Sequence, residues 1–440
     1  MGAIPRHAGA GKLRPMRALL EASFHAAVAA ADPLQILGRH LPPRPRGRVV
    51  VVGAGKAAAS MAVAVERAWP DVPMEGVVIT RYAHGLPTQR IRVVEAGHPV
   101  PDEAGEAAAQ EILRRAQQAG PDDLLLVLVS GGGSSLLSLP VQAVPMDDLK
   151  AMTRQLLASG APIEQMNVVR KHLSRIAGGW LAEAAASRGA RVVALIVSDV
   201  TGDAPSDIAS GPCAPDPTTY QDALAVLRRW NVAPPATIAD WLERGARGDI
   251  PETPKADAPF FARVENRVVA TAHRSLEAAA EVFRRAGIPP AILGDTVTGE
   301  AREVAKVYAA LVHEIRAHGA PFAPPVALIS GGECTVTLPA GTRGRGGRCS
   351  EFLLSLAVEL GDAPDVHALA ADTDGIDGSE TNAGAWLDPD AGARAAANGV
   401  TGRAALDTHD AYGFFAAAGT LLETGPTRTN VNDFRVILIL

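Results

Sequence analysis

The chain has 440 residues, more than one average core requires, so its length predicts two or three domains, of which two is the better guess. Apolar residues make up 47%, charged residues 20%, and the net charge of −6 is spread without long blocks. These totals are typical of a soluble globular protein and argue against nucleic-acid binding by charge. An anionic ligand would have to be met by a few local Arg or Lys side chains.

The cysteines and the apolar runs indicate a cytoplasmic location. Three scattered cysteines, Cys213, Cys334 and Cys349, lack the paired spacing of a zinc site or a redox couple and fit a reducing compartment. No apolar run approaches the roughly 20 residues that span a bilayer, so we expect no membrane association. Residues 1–20 are basic and lack acids, and we expect a disordered tail leading into a helix there rather than an organelle presequence.

Strand-like apolar runs recur along the chain, and each closes in a loop of Gly, Ser or Asp. The runs cover 48–53, 123–131, 191–199, 326–331 and 366–372. Helical patterns separate them, at 102–118, 179–188, 274–286 and 299–317. Strands that alternate with helices predict an α/β fold with mainly parallel sheets, in which ligands bind beyond the carboxyl ends of the strands.

A stretch rich in Gly and Pro over 244–259 interrupts both patterns, and we place the main linker there. This predicts two α/β domains. The larger, Rossmann-like domain would cover 15–250, and a smaller carboxy-terminal domain would cover 256–440.

The first strong strand is followed by the loose dinucleotide fingerprint Gly53-x-Gly55-x-x-Ala58. The next strand ends in Arg81 and not in the acid that holds a ribose, which argues against nicotinamide binding. Lys56 lies in the predicted first helical turn, where backbone N–H groups and the helix dipole favour an anion. It is a candidate for binding phosphate or carboxylate, with a solvated surface lysine as the alternative.

A second glycine turn follows the apolar run 124–129. It consists of Ser130, Gly131, Gly132, Gly133, Ser134 and Ser135. Three consecutive glycines let backbone amides approach a ligand closely, and the serines add donors, so the turn resembles a phosphate cradle. It lacks the Gly-Lys-Ser/Thr of the Walker loop, and a tight strand-to-helix turn is the alternative.

Asn167 and Arg170 are expected just before a helix over 173–186. The planar fork of arginine clamps a carboxylate through two hydrogen bonds, so Arg170 is our candidate for a substrate carboxylate, with a solvated basic helix start as the alternative. His172, close by, is expected to be structural.

Carboxylates follow two further predicted strands. Asp199 could activate a hydroxyl or hold a metal, whereas Asp203 and Asp207 would as readily cap helices. The loop 372–378 holds three aspartates, including Asp374 and Asp377, at a spacing that excludes the usual calcium loop. This loop would hold a magnesium–phosphate pair or form an ordinary Asp/Gly turn.

A third glycine turn contains Gly332 and Glu333, and Arg348 follows between glycines and Glu351. An arginine on such a flexible loop suits contact with a transferring phosphoryl group, and an exposed basic loop is the alternative. No nucleophile elbow, Cys/His pair or zinc helix is found in the sequence, so hydrolase and zinc chemistry are not indicated. Glycine turns, acids and isolated cations favour phosphoryl transfer.

Together, these strings resemble the glycerate 2-kinase family, whose members join a glycerate kinase domain to a smaller MOFRL domain. The resemblance covers about 17–440. Its motifs are GAGKAAASMA at 53–62, EAGHPVPDEAG at 95–105, SGGGSSLL at 130–137, NVVRKHLS at 167–174, SDVTGD at 198–203, IASGPCAPDPTTY at 208–220, SGGECTVTL at 330–338, GGR at 346–348, DTDGIDG at 372–378 and TGPTRTNVNDF at 424–434.

The resemblance implies ATP- and Mg²⁺-dependent transfer of a phosphoryl group to the 2-hydroxyl of D-glycerate, giving 2-phosphoglycerate. Lys56 and Arg348 would neutralise the reacting phosphate, in a cleft between the two domains. The chain departs from the family pattern at Ala177, where Lys is frequent, and at Cys349 and Ser350, where Asn and Gln are usual. These departures bear on substrate preference more than on reaction class.

We expect catalytic roles for Lys56, Arg348 and Asp199. Nucleotide contacts go to Ser130, Gly131, Gly132, Gly133, Ser134, Ser135, Gly332 and Glu333, substrate contacts to Gly55, Asn167 and Arg170, and metal contacts to Asp199, Asp374 and Asp377.

Three other functions stay open. The first is a nicotinamide-dependent hydroxypyruvate reductase, a label often given to members of this family. The others are phosphorylation at the 3-hydroxyl and a non-enzymatic ligand-binding regulator. The oligomeric state also stays open, a homodimer included.

Overall fold

The computed structural model describes residues 10–339 and 341–440. The chain forms two compact units. The first unit is Pro33–Ala270, and the second joins the residues up to Asp32 to Thr271–Leu440. The earliest described element, helix α1 (Ala10–Ala30), thus belongs to the second unit. Residues 1–9 of the predicted amino-terminal tail lie outside the described residues.

The sheet of the first unit is wholly parallel. Its strands are β1 (Val49–Ala54), β2 (Met74–Arg81), β3 (Ile91–Ala96), β4 (Leu124–Val129), β5 (Arg191–Val197) and β6 (Val264–Ala270). They lie in the order β3-β2-β1-β4-β5-β6, which is the doubly wound order of dinucleotide-binding folds. Strands β1 and β4 are buried along their whole length, as their continuous apolar sequences require in a sheet covered on both faces. The Rossmann-like fold is confirmed.

Helices cover this sheet and extend the unit. They are α2 (Pro33–Ile36), α3 (Ala58–Ala68), α4 (Glu103–Gln117), α5 (Gly133–Leu136), α6 (Met146–Ser159), α7 (Ile163–His172), α8 (Trp180–Ala186), α9 (Tyr220–Arg229) and α10 (Ala236–Ala246), with 3₁₀ turns at Leu37–His40, Ile208–Ser210 and Pro259–Arg263. The helix expected over 173–186 is therefore wrong in its first half. Gly178 and Gly179 adopt left-handed φ angles of 61° and 92°, which delay the start of α8.

The sheet of the second unit is mixed. Its strands are β7 (Pro290–Glu300), β8 (Val326–Thr335), β9 (Val366–Asp372), β10 (Gly384–Leu387), β11 (Leu421–Leu422) and β12 (Asp433–Ile439), in the order β11-β10-β9-β12-β8-β7. Strands β7 and β8 are parallel, whereas the other neighbours are antiparallel. The α/β class is confirmed, but the expectation of mainly parallel pairing fails for this sheet. The loop between β9 and β10 contains no crossover helix, so the chain returns antiparallel.

Helices pack on both faces of the second sheet. They are α11 (Ala272–Arg285), α12 (Ala301–His318), α13 (Arg348–Leu360), α14 (Ala391–Ala397), α15 (Gly402–Asp407) and α16 (Ala411–Ala418). Helices α1 and α11 share one apolar cluster with the sheet, in which Phe24 lies edge-on to Phe434 with ring centroids 5.9 Å apart. Helices α12 to α16 form the cluster on the other face.

The division into units differs from the predicted domains of 15–250 and 256–440. Strand β6 lies beyond the predicted linker but completes the first sheet, and α1 packs with the second unit. The Gly- and Pro-rich stretch 244–259 is part of the first unit: Asp216 N donates to Pro254 O at 2.9 Å, and Thr253 Oγ1 donates to Asp216 Oδ2 at 3.0 Å. In the part of the chain that the structure describes, no helix has both the length and the apolar character needed to cross a membrane.

Candidate active site

The candidate site residues of the first unit lie where the strand order of its sheet reverses, between β1 and β4. The turns after these two strands are joined by hydrogen bonds. Lys56 N donates to Gly131 O at 2.8 Å, and Ala57 N donates to Ser130 Oγ at 3.0 Å. Ligands of doubly wound sheets bind at this switch point, because the connections leave in opposite directions and open a crevice.

Glycine is required in both turns for close approach. Gly132 has a φ of 80°, and a Cβ atom there would lie 2.8 Å from His98 Nε2 and 3.6 Å from Lys56 Cγ. A Cβ on Gly55 would lie 2.1 Å from Ser130 Oγ. The turn 130–135 is thus a cradle that a side chain would fill, which fits the predicted phosphate contacts. Lys56 precedes α3 by two residues and does not lie within its first turn as expected.

A pocket of about 30 Å³ adjoins this cradle. Arg170 lines it together with Ser134, Ser135, Ala177 and Ser210. Asn167 and Arg170 sit on α7, and Arg170 Nη1 donates to Asn167 Oδ1 at 3.3 Å. The predicted substrate residues Asn167 and Arg170 therefore lie beside the turn 130–135, although inside a helix and not in front of one.

Arg170 carries an uncompensated charge into this pocket. Burial lowers its pKa to about 10, and among the described residues no carboxylate lies within ion-pair distance of its guanidinium. The group stays protonated at neutral pH and half-buried, which is costly unless an anion completes it. A guanidinium in this state is suited to bind a small carboxylate through two hydrogen bonds.

A strained turn supplies further polar groups. Ala209 and Ser210 adopt left-handed φ angles of 50° and 58°, which cost about 1–2 kcal/mol each in residues with a side chain. The Ser210 hydroxyl lies 3.1 Å from Asn167 Oδ1 and 2.9 Å from Ser134 Oγ. Such strain collects at functional sites. Ser210 was missed in the sequence, although it lies within one of the family motifs.

Asp199 follows β5, next to β4, and is half-buried at the carboxyl edge of the first sheet, where it was expected. Asp207 precedes the 3₁₀ turn Ile208–Ser210, but its side chain makes no capping hydrogen bond. The alternative of a side-chain cap is therefore not realised at Asp207, whose carboxylate lies 3.6 Å from Lys171 Nζ.

The candidate site residues of the second unit surround Arg348. Its guanidinium contacts three carboxylates: Nε and Asp433 Oδ1 are 2.5 Å apart, Nη2 and Asp372 Oδ2 2.9 Å, and Nη1 and Glu333 Oε1 3.0 Å. Burial lowers the pKa of Arg348, but the attraction of these carboxylates outweighs burial and raises the pKa well above its usual value. We expected Arg348 on a flexible loop, but it is the first residue of α13. The three carboxylates fix the position of its guanidinium.

Sheet register explains why these acids converge. Asp433 lies opposite Asp372 on one side and opposite Gly332 on the other, because β12 runs antiparallel between β9 and β8. Asp433 Oδ2 accepts from Cys334 N at 3.1 Å and from the buried Arg435. Asp433 was missed as a site residue because its neighbours are set by strand order, which only the fold reveals.

Gly332 and Glu333 both make contacts within the second unit. Gly332 has a φ of 128°, and a Cβ atom there would lie 2.1 Å from Val297 O, so the glycine allows close packing of β8 on β7. The Glu333 side chain, 54% exposed, contacts Arg348. These contacts account for both residues without a nucleotide.

The acidic loop 372–378 is used mainly for structure. Asp377 Oδ1 accepts from Cys349 N at 3.0 Å, and Asp377 Oδ2 accepts from Ser350 N at 2.7 Å and from Ser350 Oγ at 2.5 Å. Burial raises the pKa of Asp377. Both carboxylate oxygens therefore hold the start of α13, and the assignment of Asp377 to a metal does not fit this donor set.

Asp374 Oδ1 accepts from Ile376 N at 2.9 Å, as in an ordinary Asp turn. Among residues 10–339 and 341–440, no group of three or more His, Cys, Asp or Glu side chains is arranged to hold a metal ion. Mg²⁺ is commonly bound by one or two carboxylates together with substrate phosphates, so either Asp199 or Asp374 could contribute one such ligand.

Comparisons with known proteins agree with the fold and its two parts. Residues 19–243 match a family model described as a domain of unknown function, DUF4147, and residues 326–433 match the MOFRL family. A protein of Agrobacterium vitis, named provisionally as a hydroxypyruvate reductase, is 52% identical over 96% of this chain and 94% of its own length. The glycerate 2-kinase of Pyrococcus horikoshii is 38% identical over 90% of this chain and 88% of its own length. The crystal structure of the glycerate kinase of Thermotoga maritima matches with a TM-score of 0.84 and 34% identity, covering 97% of this chain and 100% of that one.

The contacts of Asp377 predict a structural role. Asp377→Ala leaves two backbone N–H groups at the start of α13 without their acceptor, and we expect the free energy of unfolding to fall by about 2 kcal/mol. Chemical denaturation measures this fall, with the exposed Asp362→Ala as control. Unchanged stability together with a higher Mg²⁺ requirement of the variant would assign Asp377 to the metal after all.

Proposed function

Because the chain belongs to the glycerate 2-kinase family, in which a DUF4147 domain is followed by a MOFRL domain, we propose that it phosphorylates the 2-hydroxyl of D-glycerate with ATP. The observation that carries the proposal is Arg170. A half-buried cation, which has no carboxylate partner among residues 10–339 and 341–440, faces a small pocket next to a glycine cradle. A kinase acting on a small hydroxy acid needs this pair of features, one for the acid and one for the phosphates.

In this proposal Arg170 binds the carboxylate of D-glycerate, and the Asn167 amide and Ser210 hydroxyl, which already contact each other, orient the acid. The backbone amides of 131–135 and the Lys56 ammonium receive the phosphates of ATP, with Gly55 allowing close approach. Such fixed donors stabilise charge that develops during transfer, and they do so without reorganisation.

Lys56 and Arg348 belong to different units, and we propose that both act on the migrating phosphoryl group. Arg348 is already oriented by Asp372 and Asp433, so it would meet the phosphate as a fixed cation. Mg²⁺, carried by the nucleotide and held by Asp199 or Asp374, would neutralise phosphate charge. Asp199 is also our candidate for accepting the proton of the 2-hydroxyl.

A hydroxypyruvate reductase is the second candidate, favoured by the name of the Agrobacterium vitis relative. The doubly wound sheet and the Gly53-x-Gly55 turn would suit a nicotinamide cofactor. However, β2 ends in Arg81, where this class of site needs an acid to bind the ribose. NADH oxidation in the presence of hydroxypyruvate would favour this candidate over the kinase.

The proposed activity predicts a coupled reaction. With ATP, Mg²⁺, D-glycerate and added enolase, we expect one phosphoenolpyruvate to form for each ADP released. Enolase consumes 2- but not 3-phosphoglycerate, and the phosphoenolpyruvate is followed by its absorbance. ADP release without enolase product would move the phosphoryl group to the 3-hydroxyl. The absence of both products would remove the kinase from consideration.

The two proposed catalytic cations predict a loss of turnover. We expect Lys56→Ala and Arg348→Ala each to lower kcat by about 10³-fold or more, because positive charge on the phosphoryl group carries most of such catalysis. The control is Lys306→Ala, which removes an exposed ammonium paired with Glu303. A rate near that of wild type would remove the substituted residue from the chemistry.

The role of Arg170 predicts a binding defect. We expect Arg170→Ala to raise the KM for D-glycerate by about 10²-fold with little change in the KM for ATP, because the substrate carboxylate would lose its counter-charge. Arg154→Ala on the exposed side of α6 is the control. If both Michaelis constants stay unchanged, the acid binds elsewhere.

A further inference from the structure

A buried lysine lies next to Arg170 on α7. The Lys171 side chain is 2% exposed, and its Nζ lies 3.3 Å from Asp216 Oδ1 and 3.6 Å from Asp207 Oδ1. A charge at this depth is retained only when it is paired. Lys171 is too buried to touch a substrate, so its function must be exerted through its two partners.

Asp216 is a fixed anchor for this lysine. It is fully buried, and Thr218 N and Thr253 Oγ1 donate to its carboxylate at 3.1 and 3.0 Å. Burial raises the pKa of Asp216, but the Lys171 charge and the hydrogen bonds of Thr218 outweigh burial and lower it. The carboxylate is therefore ionised at neutral pH, and its Oδ1 lies 3.3 Å from Lys171 Nζ.

Asp207, whose side chain is 31% exposed, is the second partner of Lys171. It begins the turn in which Ala209 and Ser210 adopt left-handed backbone angles, and its own carbonyl accepts from Asn167 Nδ2 at 3.2 Å. Helix α7 thus contacts Asp207 at two points. Asn167 binds its carbonyl oxygen, and Lys171 pairs with its carboxylate. Left-handed angles in residues with side chains persist only where surrounding contacts enforce them.

We propose that Lys171 is a positioning residue for acid binding: its buried charge draws Asp207 toward the anchored Asp216 and so holds the strained turn with Ser210 facing the pocket. Ser210 and Asn167 then present fixed polar groups beside Arg170. The inference rests on the proposed function for the identity of the acid, but the hold on the turn does not depend on that identity.

The test uses the full chain with Lys171→Met combined with Asp216→Asn, because Lys171→Met alone would leave a buried carboxylate unpaired and threaten folding. The amide introduced by Asp216→Asn keeps an oxygen that accepts from threonine. Lys306→Met, at an exposed ion pair of the second unit, is the matched control. The first readout is hydrogen exchange of the amides over 204–216 and of Gly178, whose N–H donates to Ser210 O at 2.9 Å.

In the double variant we expect these amides to exchange at least about tenfold faster, with unchanged exchange in β1 and β4. We expect the KM for D-glycerate to rise at least about tenfold, while kcat and the KM for ATP stay within about twofold of wild type. A purely structural role would instead lower protection and the unfolding midpoint throughout the first unit, and that result would overturn the proposal.

Two further outcomes separate this inference from the proposed function. Unchanged exchange over 204–216, or an unchanged KM for D-glycerate when the wild type is an active kinase, would overturn the positioning role. If wild type fails to phosphorylate D-glycerate, whereas the double variant still loosens the turn selectively, the proposed function is wrong and the hold of Lys171 on the turn stands.

Discussion

The first unit depends on the parallel pairing of β1 with β4 at the reversal of strand order. Because the connections leave these strands on opposite faces, their two glycine turns meet at one edge and exchange hydrogen bonds through Lys56 and Ser130. The other proposed contacts of the first unit depend on this junction. If the two strands were not neighbours, the cradle, the pocket beside it and the strained turn of Ser210 would not lie together.

Arg170 in the first unit and Arg348 in the second unit differ in their carboxylate partners. Arg170 enters its pocket without a carboxylate partner among the described residues and so keeps most of its attraction for an incoming anion. Arg348 is surrounded by three carboxylates, which fix its orientation but leave the cluster with excess negative charge. The first arrangement suits recognition of a small acid. The second holds a positive charge in a fixed direction, as stabilisation of a migrating phosphoryl group requires.

Local signals in the sequence were sufficient for the central strands of the first sheet, since apolar runs closed by glycine turns predict buried parallel strands, and β1 and β4 have this form. They did not identify β3 or β6, and β6 lies beyond the predicted linker. They were insufficient for the second sheet, where the antiparallel insertion of β12 depends on pairing between distant segments. For the same reason Asp433 and Ser210 were missed: each matters through neighbours brought close by the fold. Asp377 shows a further limit, because the sequence of an acidic loop does not reveal whether its oxygens face a metal or backbone donors, which here are the N–H groups of Cys349 and Ser350.

The discontinuity of the second unit affects how the chain folds during synthesis. Helix α1 is made before its apolar partners in α11, β8 and β12, which follow the whole of Pro33–Ala270. At ribosomal speeds of about 5–20 residues per second, α1 waits on the order of 10–50 s with Leu20 and Phe24 uncovered. The first unit can complete its sheet on the ribosome in that interval. During that interval the apolar face of α1 lacks its native partners in α11, β8 and β12.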